Sequence, residues 1–140
     1  MIRTALALAL ALPLVAAPAI APAVAEEGKP KLVTVLTAPE PQTQLMAMIL
    51  TMQSVMQGAT AHVLLCGPAA DIALADAPAS ATAPQPPRDM SPQGLLKAIM
   101  EKGVPVEVCA IYLPGKGLDA SALLPGVKPA APDAMAAVLL

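Results

Sequence analysis

The chain of 140 residues has no Phe, no Trp and a single Tyr. Its core must therefore be built from Leu, Val, Ile, Met and Ala. A single His removes the hydrolase mechanisms that need a histidine base. No Gly-rich phosphate loop, HExxH run or Ser/His/Asp set is present, and the carboxylates are scattered through loops and helix ends with no pair placed for acid–base work. Charge is scarce: 8 Lys and Arg against 10 Asp and Glu leave a net −2. That is too small and too evenly spread for nucleic-acid binding or attraction to an anionic membrane. The 17 prolines are confined to loops and element ends, because Pro lacks the N–H that helices and sheets use.

The first 25 residues read as a targeting segment. Arg3 precedes an Ala/Leu run, Ala5 to Ala17, which is of signal-peptide length and shorter than a membrane span. Ala23-Val24-Ala25 places small residues where a signal peptidase needs them. Pro13, Pro18 and Pro22 argue against an anchor helix. The expectation is a cleavable signal peptide over 1–25, cut after Ala25. A periplasmic or secreted domain over 26–140 follows, with no membrane association once the leader is removed.

Strands and helices alternate along this domain. Lys31 to Thr37 is β-branched and apolar, as in a central strand covered on both faces. Thr43 to Gln57 carries Leu45, Ile49, Met52 and Met56 at helical spacing and stops at Gly58. Ala61 to Cys66 is a second strand, and Ala69 to Ala75 has room for two helical turns. Residues 76–90 are rich in Ala and Pro without periodicity, which predicts a semi-extended surface loop. Ser91 caps a helix with Pro92 at its first position, and that helix ends at Lys102-Gly103. Pro105 to Cys109 is a third strand, Asp119 to Leu123 a capped turn, Gly126 to Pro129 a fourth strand, and Asp133 to Leu140 a last helix. This order implies a parallel sheet with right-handed crossovers, whose sites lie beyond the C-terminal strand ends.

Cys109 closes a strand at such an end, just where a helix begins. Peptide N–H groups there favour an anionic sulfur, so Cys109 is the candidate nucleophile. Cys66 closes the second strand, but Gly67-Pro68 follows it and Pro68 has no amide to offer, which suits a structural or secondary thiol. Met48, Met52 and Met56 lie at i, i+4, i+8, a spacing that suits Cu(I). The same residues are ordinary gap-fillers in a core without Phe, and that reading is preferred. His62 has no partner at ligand spacing and reads as a surface or strand-edge residue. No metal and no cofactor is expected.

The run Ser91 to Cys109, SPQGLLKAIMEKGVPVEVC, followed by Lys116-Gly117-Leu118, resembles the DsrE/DsrF-like family of small sulfur-relay proteins. The first strand, the helix ending at Gly58 and the strand His62 to Cys66 fit as well. The resemblance implies an α/β, flavodoxin-like three-layer sandwich. Its parallel sheet would have four to five strands ordered 2-1-3-4, with helices on both faces. The protein would be assembled as a dimer, trimer or hexamer. It also implies a sulfur carrier or sulfurtransferase that accepts sulfane sulfur as a persulfide on Cys109 and passes it to a partner protein's thiol. Ala110, Ile111 and Tyr112 would supply amides and a pocket wall, and Lys116 a nearby cation. With strand 1 between strands 2 and 3, the two cysteines would stand roughly 9–10 Å apart. That is beyond the ~7 Å Cα separation a disulfide tolerates, so two separate thiols are expected, and a Cys66–Cys109 bridge would require the two loops to bend towards each other. The alternative is a non-catalytic oligomeric binding or scaffold protein of the same fold. Pro114-Gly115 in the turn, and Tyr112 where many relatives carry a second cysteine, favour it.

Overall fold

A computed structural model describes residues 28–140, so the expected leader lies outside the described residues. The elements are β1 (Lys31–Leu36), α1 (Pro41–Met56), β2 (Thr60–Leu65), a 3-10 helix (Gly67–Ala73), α2 (Ala79–Thr82), α3 (Pro92–Glu101), β3 (Val106–Cys109), α4 (Tyr112–Lys116), a 3-10 turn (Ala120–Ala122), β4 (Lys128–Ala130) and α5 (Pro132–Leu139). The four strands form one all-parallel sheet in the order β1-β2-β3-β4.

This order corrects the expected 2-1-3-4. The strand buried on both faces is β2, where consecutive Val63, Leu64 and Leu65 are all buried. At the edge, β1 leaves Lys31 exposed and Val35 50% exposed. Its alternation of β-branched residues fits a strand covered mainly on one side. With every step of the chain moving one strand in the same direction, right-handed crossovers put all the connecting helices on one face. The main core forms there: Met48 of α1 and Leu96 and Ile99 of α3 pack on Leu36, Val63, Leu65, Val106 and Val108. A smaller cluster on the opposite face joins Met135 of α5 to Leu64 and Ala130, with Val33, Cys66, Cys109 and Val138 around it. The result is the flavodoxin-like three-layer sandwich, helices–sheet–helix.

Local signals explain most boundaries. The Ser91 side chain accepts from Gly94 N–H at 3.1 Å, capping α3 behind Pro92. Gly103 ends that helix at φ 79°, a conformation that disfavours side chains. The buried face of α1 is Gln44, Leu45, Met48 and Thr51, rotated from the expected apolar stripe. Two polar residues hold it inward. Gln44 Nε2 donates to Ala38 O at 2.8 Å. Thr51 donates to Ala47 O at 2.9 Å, so its contact with the Thr34 hydroxyl at 2.6 Å is donated by Thr34. Met48 is consequently core while Met56 is exposed, and Met48, Met52 and Met56 do not form one ligand set. Residues 76–90 fold back rather than extend. They hold α2, whose Ala81 is buried, and an antiparallel bridge between Gln85 and Met90.

Candidate functional site

β2 and β3 are neighbours with Leu65 paired to Val108, so the next residues, Cys66 and Cys109, face each other at the C-terminal edge. Their Cα atoms are 5.0 Å apart, one strand spacing, and their sulfurs form a disulfide. This corrects the expectation of separate thiols. That expectation rested on β1 lying between the two strands, and β1 lies outside them. Both cysteines are half-buried beneath α5, against Met135 and Val138. Cys66 and Cys109 are one chemical unit here, in place of a nucleophile and a bystander.

After Cys109 the chain turns through Ala110 and Ile111 into α4, which ends at Gly117 with φ 67°. Ile111 is 83% exposed, whereas Tyr112 is buried. The Tyr112 hydroxyl donates to Asp71 Oδ1 at 2.7 Å, and Lys116 Nζ donates to the same oxygen at 2.6 Å. The ammonium also lies 5.5 Å from the Tyr112 ring centroid. Burial, then the hydrogen bond and the negative charge of Asp71, push the Tyr112 phenol well above its ordinary value. Tyr112 is therefore a neutral hydrogen-bond donor that ties α4 to the 3-10 helix after Cys66.

A cavity of about 390 Å³ opens beside this pair of turns, lined by Gly67, Pro68, Asp71, Ile111, Tyr112 and Lys116 among others. Ile111, Tyr112 and Lys116 line this cavity together, and Ala110, half-buried in the turn before them, does not line it. Lys116 departs from expectation in its partner. Its charge is matched by Asp71, so it is not a free cation for an anionic sulfur. Gly67, Pro68 and Asp71 were missed, although the strand-end rule that selected the residues after Cys109 applies equally to those after Cys66. The wrong strand order hid them.

A second polar group lies lower on the face that carries the cysteines. His62 Nε2 is 2.9 Å from Glu107 Oε2, and Lys128 Nζ is 3.7 Å from Glu107 Oε1. His62 is thus a partnered residue on an inner strand, because Glu107 occupies the neighbouring position on β3. No group of three or more His, Cys, Asp or Glu side chains is placed to hold a metal ion among the described residues. None of the described helices is long and apolar enough to cross a membrane.

The molecule is, by these features, a parallel α/β sandwich with paired cysteines at the C-terminal ends of its two inner strands. Neither a family model nor a curated protein matches the chain. Solved structures do. The ychN protein from E. coli superposes with a TM-score of 0.61 at 18% identity, over 79% of this chain and 91% of that chain. MTH1491 from Methanobacterium thermoautotrophicum, a protein of unknown function, superposes with a TM-score of 0.58 at 16% identity, over 79% and 90% of the two chains. Both have the DsrE/DsrF-like fold, and at these identities the likeness establishes the fold and no activity.

Proposed function

We propose that this protein is a sulfur carrier of the DsrE/DsrF-like fold in which Cys109 takes up the sulfur and Cys66 is its resolving partner. The observation that carries the reading is the pairing of the two cysteines at the C-terminal strand ends. The open cavity is lined by residues that follow each of them, Gly67 and Pro68 after Cys66, Ile111 and Tyr112 after Cys109. In the dithiol form, the Cys109 thiolate attacks the outer sulfur of a sulfane donor such as thiosulfate. One S–S bond forms, the donor's S–S bond breaks, and sulfite leaves with the electron pair, giving a persulfide on Cys109. An acceptor thiolate then attacks the outer sulfur, takes it as its own persulfide and frees Cys109. Where no acceptor arrives, the Cys66 thiolate attacks the inner sulfur. That step forms the Cys66–Cys109 disulfide and releases hydrosulfide, so the disulfide is the unloaded resting form. The single Tyr and the Asp71–Lys116 pair shape the cavity and hold α4 in place, and they take no proton in the transfer.

The proposed setting is the compartment outside the cytoplasmic membrane, where a disulfide persists until a specific reductant opens it. Export and oligomeric assembly belong to the same proposal. Intact-mass analysis tests the chemistry. After reduction and desalting, Cys66→Ser incubated with thiosulfate or polysulfide should gain one sulfur on the peptide containing Cys109, and Cys109→Ser should gain none. The scaffold reading is favoured by the same cross-link if it serves only as a staple. It prevails if Cys66→Ser folds, exposes a titratable Cys109 thiol and takes up no sulfur.

A further inference from the structure

A second concavity lies in the helical layer, between α1, the start of α3 and the turn 85–90. It has a volume of about 680 Å³, inside the roughly 300–1,000 Å³ range of small-molecule sites. Its wall is apolar: Leu45, Met46, Ile49 and Met52 from α1, with Met90 and Leu95 across from them. Met46 is 54% exposed, so the apolar surface is open to a ligand. One charged residue lines the groove, Arg88, at the tip of the bridged turn. Among the described residues Arg88 is in none of the three ion pairs. Glutamine side chains, Gln42, Gln53 and Gln85, complete the polar part of the rim.

An apolar trough with one guanidinium at its mouth, outside the ion pairs though followed in the chain by Asp89, is complementary to a ligand with a hydrocarbon body and one anionic head. A guanidinium pairs with a planar carboxylate through two parallel N–H···O bonds. We propose that this groove binds a single-chain aliphatic carboxylate, with the chain along Met46, Ile49 and Met52 and the carboxylate at Arg88. The site shares no lining residue with the cavity beside Asp71 and Tyr112, and the inference stands independently of the sulfur-carrier reading. The methionines make it directly observable. Met46, Met52 and Met90 line the groove, whereas Met135 lies on the other face of the sheet.

The test is a titration of methyl-¹³C-methionine protein with decanoate below its micelle concentration, followed by NMR, with decyltrimethylammonium as the charge-reversed probe. Saturable shifts of the Met46, Met52 and Met90 methyls without a shift at Met135 are expected. Arg88→Gln should weaken decanoate binding about tenfold, the loss of one charge-assisted contact. Met46→Trp, at a half-exposed position outside the buried core, should occlude the trough and abolish saturation, with an unchanged far-UV circular dichroism spectrum showing that the variant is folded. The proposal is overturned if decanoate produces no saturable shift, if the cationic probe binds equally well, or if Arg88→Gln binds as the unmodified protein does. It is also overturned if the groove methyls shift with protein concentration alone, which would make the occupant a second copy of the chain.

Discussion

Opening the Cys66–Cys109 cross-link releases a 43-residue span of chain in the unfolded state. Loop-closure entropy for a span of that length is ~13 cal/mol/K, or about 4 kcal/mol at 25 °C. For a domain of this size each kcal/mol shifts the melting temperature by roughly 4 °C, so the expected fall is roughly 15 °C. The main core contains neither cysteine, since Met48, Leu96 and Ile99 pack on the opposite face of the sheet. The reduced protein should therefore still fold, with a lower midpoint and an intact cooperative transition. The comparison is oxidised against reduced protein in urea and thermal melts followed by far-UV circular dichroism. Cys66→Ala/Cys109→Ala serves as a third sample that cannot re-oxidise. A reduced form within about 1 kcal/mol of the oxidised form would refute the loop-closure reasoning. A reduced form that no longer folds would refute the claim that the core is independent of the pair.

Other consequences are equally direct. Tyr112 is the sole tyrosine, so the phenol absorbance of the folded protein should titrate well above pH 10 and that of the urea-unfolded chain near 10. A folded-state value raised above the unfolded one means stability is intact below pH 10 and falls as pH rises beyond it. Asp71→Asn should bring the titration part of the way back towards the ordinary value, because it removes the negative charge and leaves a weaker neutral acceptor while burial remains. Leu96→Ala, at a fully buried position, should cost about 2–5 kcal/mol in urea unfolding. Glu107→Ala strands His62, with both side chains mostly buried, and should cost about 1–3 kcal/mol.

Much of the fold was legible in the chain because its local signals agree with the tertiary arrangement. Ser91-Pro92 at a helix start, Gly103 at its end and the alternation of strands with helices all point to one architecture. Strand order was not legible in the same way. It follows from which strand is buried on both faces, and β1 and β2 have similar apolar content; the decisive contrast is exposed Val35 against buried Val63, Leu64 and Leu65. That single difference decides whether Cys66 and Cys109 are separate or bonded. The strand-end rule pointed to the turn after Cys109, but the partner of Lys116 was not legible. Asp71 lies 45 positions away, at the start of the segment that follows Cys66. The orientation of α1 was misjudged because Gln44 and Thr51 are buried through hydrogen bonds, which apolar periodicity does not register. The turn holding Arg88 was read as an extended loop because its order comes from a two-residue bridge and one buried alanine.

The pairing of Cys66 with Cys109 as a working couple is tested most directly by what the fully reduced protein does with thiosulfate when no acceptor is present. One hydrosulfide should be released per chain, with matching loss of both free thiols as the disulfide re-forms, and none from Cys66→Ser. Thiols that persist alongside thiosulfate, with no hydrosulfide formed, would contradict it.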